Sequence, residues 1–186
     1  MKKYEFTGEV KLFLGKTLHR IRACVSFGCV EKGDEGGWIE REENLSHDGN
    51  AWVYGNAWVY GDARVYGNAR VYGDARVYGN AWVYGNARVY GNARVDGNAW
   101  VYGNNRIMTV GAIGSREDIT TFCYAKGGVI QVACGCFRGT IEAFAEKVNE
   151  THGDSKYGKQ YALAIELAKL TICTDKADGE DAEDGK

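Results

Sequence analysis

Among its 186 residues the sequence contains no proline and only two methionines. Without proline every backbone N–H stays available as a donor, which suits stacked strands where each layer must bond to the next. No apolar run approaches the length needed to span a bilayer. The N-terminal stretch has Lys2 and Lys3 but no apolar core of a signal peptide, so the expected location is the cytosol. A basic excess is also missing. The formal net charge of −2 argues against a protein devoted to long nucleic acid or to a membrane surface. Histidine is scarce, present only as His19, His47 and His152, which limits general-base chemistry. Cysteines 24, 29, 123, 134, 136 and 173 are expected to be reduced thiols in that compartment. Cys134-Gly-Cys136 puts two thiols near each other, on one face of a strand, but lacks a second matching pair. No metal site and no cofactor are therefore expected.

What is present is a repeat. From Asn50 to Ile107 the unit V-Y-G-[ND]-A-[RW] recurs every six residues. Valines stand at 53, 59, 65, 71, 77, 83, 89, 95 and 101, and Ile107 continues the row. Alanine follows each valine by four residues from Ala57 to Ala99, before Asn105 breaks the series. Tyrosine follows valine except at Asp96. Three short strands closing a triangular coil use eighteen residues, one hexad per side. Valine then points into the prism. Alanine, two residues before the next valine, points inward as well because strand side chains alternate. Glycine followed by Asn or Asp marks each corner, where a left-handed backbone is needed. Ten hexads make a little over three coils, about 15 Å tall at one strand spacing per coil. Both open ends need capping.

The flanks read as those caps. Residues 1–49 form an N-terminal β cap, with strands at Tyr4–Phe6, Val10–Leu14 and Thr17–Val25 and a turn at Gly15-Lys16. Trp38 and Ile39, closing a glycine-rich turn, are expected to plug the first coil. The prism occupies 50–113, with the six-residue spacing persisting at Ile113 and Ile119. Residues 114–173 form an α+β cap or oligomerisation module. It has a strand pair, Thr120–Ala125 and Val129–Ala133, turning at Gly127-Gly128. A helix capped by Thr140 runs to about Glu150, and a second, capped by Asp154, to about Leu170. Residues 174–186 carry six acids and two lysines from Asp175 on and read as a disordered acidic tail. The fold class is mainly β: a β-helix between an N-terminal β cap and a small C-terminal α+β cap.

The repeat resembles the hexapeptide family of left-handed β-helices, and the left hand is implied by that resemblance alone. Three segments, Gly33-Asp-Glu-Gly-Gly-Trp-Ile39, the V-Y-G-N-A hexads and Cys134-Gly-Cys-Phe-Arg-Gly-Thr140, resemble little-characterised hexapeptide-repeat proteins of phages and prophages. The resemblance covers nearly the whole chain and implies a mobile-element origin more firmly than an activity.

Many hexapeptide proteins are acyltransferases, which need a base to activate the acceptor. Here no histidine lies in the coils, and the long loop that interrupts the coils of such enzymes is missing. His47, just before the first coil, is the best candidate base for that alternative. The outward positions carry more. Residues eighteen apart lie one above another, so Tyr54, Tyr72 and Tyr90 align, as do Tyr66, Tyr84 and Tyr102. Trp82 and Trp100 align above Arg64, and Arg70, Arg88 and Arg106 align above Trp52. Such ladders stabilise neighbouring strands and also form the anchors of interfaces. Ser115 and Arg116, followed by Thr120 and Thr121, combine hydroxyls and a guanidinium in an anion-binding pattern, and Arg138 is the other candidate. The expected function is a non-catalytic, phage- or prophage-encoded binding protein. It would sequester a ligand or block a host bacterial protein in the host cytosol, inhibiting anti-phage defence. The alternatives are a sponge for a nucleotide second messenger, or other nucleotide-like small molecule, and the acyltransferase. Identical ladders make self-complementary faces, so a homo-oligomer is expected.

Overall fold

The computed structural model describes residues 2–103, 106–172 and 174. Strand β1 (Tyr4–Phe13) pairs antiparallel with β2 (Lys16–Ala23), and β2 with β3 (Glu35–Ile39). β1 is one strand with an irregular register between Phe6 and Val10, where two separate strands are expected from the sequence. The hairpin turns at Leu14-Gly15, one residue earlier than expected, both at positive φ (48° and 75°).

The prism then rises through short strands from β4 (Trp52–Val53) to β12 (Trp100–Tyr102). Its inward rows are Ile39–Val59–Val77–Val95, Leu45–Val65–Val83–Val101 and Val53–Val71–Val89. Every residue in these rows is buried, as are the inward alanines from Ala51 to Ala99. Backbone N–H groups donate to the carbonyl seventeen residues on, as in Arg64 to Ala81 (2.9 Å) and Tyr72 to Val89 (2.9 Å). Adjacent coils are thus bonded as parallel strands.

The first coil begins before the repeat. Ile39 pairs with Val59, and Leu45 lies opposite Val65, two residues more than the regular eighteen. Val53 to Val71 is already regular. The extra residues fall between Leu45 and Val53, and with Ile39 and Leu45 as their first members two of the three rows reach four levels. Ile39 fills the prism end as expected, but Trp38 lies on the outer face, packed with Leu18 and Tyr60. Successive strand residues point to opposite sides, so the two cannot both plug the coil.

At the corners only glycine takes the left-handed backbone, with φ between 56° and 79° from Gly55 to Gly103. The expected left-handed Asn and Asp do not occur among the described residues. Asn side chains instead form ladders, Asn50 to Asn68 (3.0 Å), Asn68 to Asn86 (3.3 Å) and Asn80 to Asn98 (3.4 Å).

Beyond the prism, β13 (Ile107–Ile113), β14 (Asp118–Ala125), β15 (Val129–Cys134) and β16 (Phe137–Thr140) form an antiparallel sheet in chain order. Ile113 and Ile119 therefore belong to the two strands of an antiparallel pair; the coil ends at the switch from parallel to antiparallel pairing. β14 is a wall between two cores. Cys123 belongs to the prism core, while Phe122 and Tyr124 pack with the helices, as period-two alternation requires. Helix α1 (Ile141–His152) starts at Thr140, whose Oγ1 accepts from the Ala143 N–H (3.3 Å). Helix α2 (Lys156–Thr171) is capped by Ser155, which accepts from the Gly158 N–H, rather than by Asp154. Gly158 packs so closely on the Gly153 carbonyl that a Cβ would overlap it. α2 buries Tyr161, Ala164, Ile165 and Ala168 and turns Leu163, Leu167 and Leu170 outward at 73, 52 and 87 % exposure. The acidic segment 175–186, read as disordered from its composition, lies outside the described residues. So do Asn105 and Cys173.

Candidate functional site

Outward side chains stack along each face of the prism. Tyr60 and Tyr78 lie parallel, 5.0 Å apart. Tyr66, Tyr84 and Tyr102 form a column with centroid spacings of 4.9 and 5.0 Å. Tyr72 stacks on Tyr90 at 5.7 Å and meets Tyr54 edge-on. Trp82 and Trp100 stack at 5.4 Å, with Arg64 5.8 Å from the Trp82 ring and Lys126 5.1 Å from the Trp100 ring. The eighteen-residue alignments expected for the Tyr and Trp columns are thus present, and cation–π contacts extend the Trp column.

The chain covers the three faces unequally. On the face through Val59, the β1–β2 hairpin folds outward over the coils: Phe13 meets Trp58 and Tyr60, Lys11 lies over Trp38, and Arg76 sits over Trp58. The face through Val53 has Trp52 buried under Tyr4 and Phe27. Higher on that face the Arg70 guanidinium contacts the Cys29 thiol, and Arg88 is aligned with Arg70 and exposed. Arg106 is buried, with its guanidinium 4.0 Å from the Tyr124 ring centroid. It belongs to the joint with the cap instead of a binding surface.

The face through Val65 carries the Trp82–Trp100 and Tyr66–Tyr84–Tyr102 columns. At its base lies a groove of about 560 Å³ lined by Glu42, Glu43, His47, Asp48, Arg64, Tyr66 and Trp82. The extra residues of the first coil form one wall. Of the expected site residues, Trp82 lines this groove, and Trp100, Tyr84 and Tyr102 continue the two columns above it. Glu42, Glu43 and Asp48 are additions that the hexad pattern could not reveal, because they lie in the irregular coil.

His47 is tied into the fold. Its Nδ1 accepts the Lys3 backbone N–H (3.2 Å), its ring stacks on Tyr4 at 4.3 Å, and Nε2 lies 3.7 Å from Glu42 Oε2. Lys3 beside it is buried, its Nζ donating to the Ala51 carbonyl (2.9 Å). Burial lowers the Lys3 amine to about 8, partly opposed by Asp48.

The other expected residues are dispersed. Arg138 reaches down from β16 to Asp96, and its Nη2 donates to the Tyr78 hydroxyl (2.9 Å). Asp96 is the position where the repeat loses its tyrosine, so the carboxylate takes the third level of the Tyr60–Tyr78 column and anchors the cap. Arg138 is therefore a docking residue. Thr120 is buried against the Cys134 thiol (3.2 Å), and Thr121 Oγ1 accepts from the Arg94 N–H (3.1 Å). Neither threonine joins Ser115 and Arg116, which line a separate depression in the cap. Cys134 and Cys136 flank the β15–β16 turn at Gly135 instead of sharing one strand face. Among the described residues no cluster of three or more His, Cys, Asp or Glu is placed to hold a metal ion. No helix there is long and apolar enough to cross a membrane.

Stacked parallel coils with antiparallel caps at each end make this a repeat β-solenoid protein. Within the prism, residues 63–77, 69–85, 75–88 and 87–103 match the YdcK Beta solenoid repeat. No curated protein matches the chain.

Proposed function

We propose that this protein is a non-catalytic binding protein of phage or prophage origin that blocks a host bacterial protein in the cytosol, as an inhibitor of anti-phage defence. The observation that carries the binding role is the Trp82 face with the groove at its base. Parallel tryptophans and tyrosines rise from a groove that also holds Glu42, Glu43, Asp48 and Arg64. Aromatic rings with arginine are the usual anchors of protein interfaces. The mixture of carboxylates and one guanidinium around the groove suits a protein segment bearing both charges. The mobile-element part of the reading rests on the sequence resemblance, as does a left-handed coil. Self-association along the repeated columns belongs to the same proposal.

The experiment is native mass spectrometry of tagged protein purified from a phage-infected host, comparing wild type with a Trp82→Ala, Tyr66→Ala double variant. A stoichiometric protein adduct on wild type that is lost from the folded variant supports the reading. An adduct of equal occupancy on both refutes the assigned face. Acyl transfer from acyl-CoA by the purified protein, lost in His47→Gln with the circular dichroism unchanged, replaces it with the enzyme reading.

A further inference from the structure

The cap holds a second cavity, of about 320 Å³, that shares no residue with the prism groove. Ser115 and Arg116 enter it from the β13–β14 turn, and Lys147 and His152 from α1. Three cationic or protonatable side chains thus meet one carboxylate, Asp118. The Oδ1 of Asp118 already accepts the Ile119 N–H at 2.7 Å.

Arg116 is exposed and forms no ion pair among the described residues; its Nη1 rests 4.0 Å from the Cys136 thiol. The guanidinium lies against the Gly135 turn, where an added Cβ would come within 3.0 Å of Nη1. Lys147 pairs with Glu150 at 3.1 Å on the surface, a contact weak enough to yield to a better anion.

The remaining wall is apolar and ring-shaped. Phe144 packs between Phe137 (5.1 Å) and Tyr161 (5.5 Å), and His152 stacks on Tyr161 at 5.7 Å. A cationic rim over an aromatic floor selects a ligand with an anionic group at one end and a flat or apolar body at the other. The volume is at the lower end of the roughly 300–1,000 Å³ of ligand pockets, so the ligand is small.

We infer that the cap cleft is a binding site for a small organic anion, a phosphate monoester or a carboxylate. Arg116 and Lys147 hold the charged group, and Phe137 and Phe144 hold the body. This site is independent of the protein-binding face, and either reading can fail without the other.

Phenyl phosphate is the probe, measured by calorimetric titration and by alkylation of cysteines with iodoacetamide. Saturable binding is expected, weakened by salt and at least about tenfold weaker in Arg116→Ala, the loss of one charge-assisted contact. Benzoate binding at the same residues is also expected, and its affinity relative to phenyl phosphate distinguishes carboxylate from phosphate ligands. Bound phenyl phosphate should slow alkylation of Cys136, which lines the cleft, and leave exposed Cys29 unchanged. Arg116 is exposed, so the variant should keep the wild-type melting temperature. The inference is overturned if neither probe binds saturably, if phenol binds as well as phenyl phosphate, or if Arg116→Ala and Lys147→Ala both leave affinity unchanged. Equal affinity for inorganic phosphate overturns the role of the aromatic floor.

Discussion

Arg138→Ala should loosen the cap from the prism. The Asp96 side chain is only 11 % exposed and that of Arg138 is 33 % exposed. Removing one partner of a fully buried pair costs roughly 3–5 kcal/mol because the remaining charge is stranded. Water reaches Arg138, so the expected loss here is smaller, about 2–3 kcal/mol. Asp96→Tyr is the complementary change. It restores the repeat, places a third ring on Tyr78 and leaves Arg138 free to hydrate, so a loss of only about 1 kcal/mol is expected. In the double variant no buried charge remains, and its loss should fall short of the summed single losses by about 1–2 kcal/mol. Urea unfolding followed by tryptophan fluorescence gives the energies, and hydrogen exchange of β16 reports cap docking. A loss within about 0.5 kcal/mol for Arg138→Ala, or strictly additive losses, would refute the anchoring role of this pair.

Other perturbations test the coils, the turns and the buried protons. Val83→Ala removes two methyl-sized groups from a fully buried row and should cost about 2 kcal/mol in equilibrium unfolding. Gly79→Ala should cost about 1–3 kcal/mol, since φ is +66° and the new Cβ would lie 3.0 Å from the Gly97 nitrogen; an unchanged melting temperature would count against the corner geometry. Leu167→Lys, on the exposed side of α2, should change monomer stability by less than about 0.5 kcal/mol in the same assay. Stability should also fall in alkali. Burial first, with Asp96 adding to it, pushes the Cys123 thiol up to about 12, and burial raises Tyr60 to about 12 as well. The unfolded chain releases these protons from about pH 9 to 10, while the folded chain keeps them, so each pH step in that window favours unfolding. Lys3 acts oppositely between about pH 8 and 10.4, because its lowered amine loses its proton first in the folded state. Urea titrations from pH 8 to 11 should show Cys123→Ala losing less stability above pH 9 than wild type; parallel curves would show that Cys123 is not the source.

The prism was readable because its cause is local and periodic. Valine, alanine and glycine repeat at the spacing that the triangular coil imposes, and the tyrosine and tryptophan columns follow from the same eighteen-residue register. Legibility ended where the period did. The first coil uses Ile39, Leu45 and a two-residue excess around His47, and no hexad search finds a coil whose spacing is broken and whose corner between Ile39 and Leu45 carries no Gly-Asn signal. Trp38 and Ile39 were recognisable as a large apolar pair, yet which one faced inward depends on the pairing of β3 with β5 (Trp58–Val59). The anion pattern of Ser115, Arg116, Thr120 and Thr121 failed as a unit because β14 buries both threonines against other partners. Lys147 and His152, which do share the cleft with Arg116, come from a helix more than thirty residues away. The one departure from tyrosine in the repeat, Asp96, was visible from the start, but its meaning required the position of Arg138.

The pairing of Asp96 with Arg138 also constrains how this gene can change length. Near-identical hexads at the protein level imply similar DNA segments, which recombine and slip. Gaining or losing eighteen residues between Val65 and Val89 would lengthen or shorten the rod by one coil, about 4.8 Å, and return every column to its own side. Gaining six between Tyr78 and Val89 would turn everything above it by a third of a revolution, so that Asp96 and Arg138, moving together, no longer lay over Tyr78. The contact of Arg138 with Tyr78 as well as Asp96 thus acts as a reading frame for the coil between them, tolerating changes of whole turns and penalising fractions of a turn.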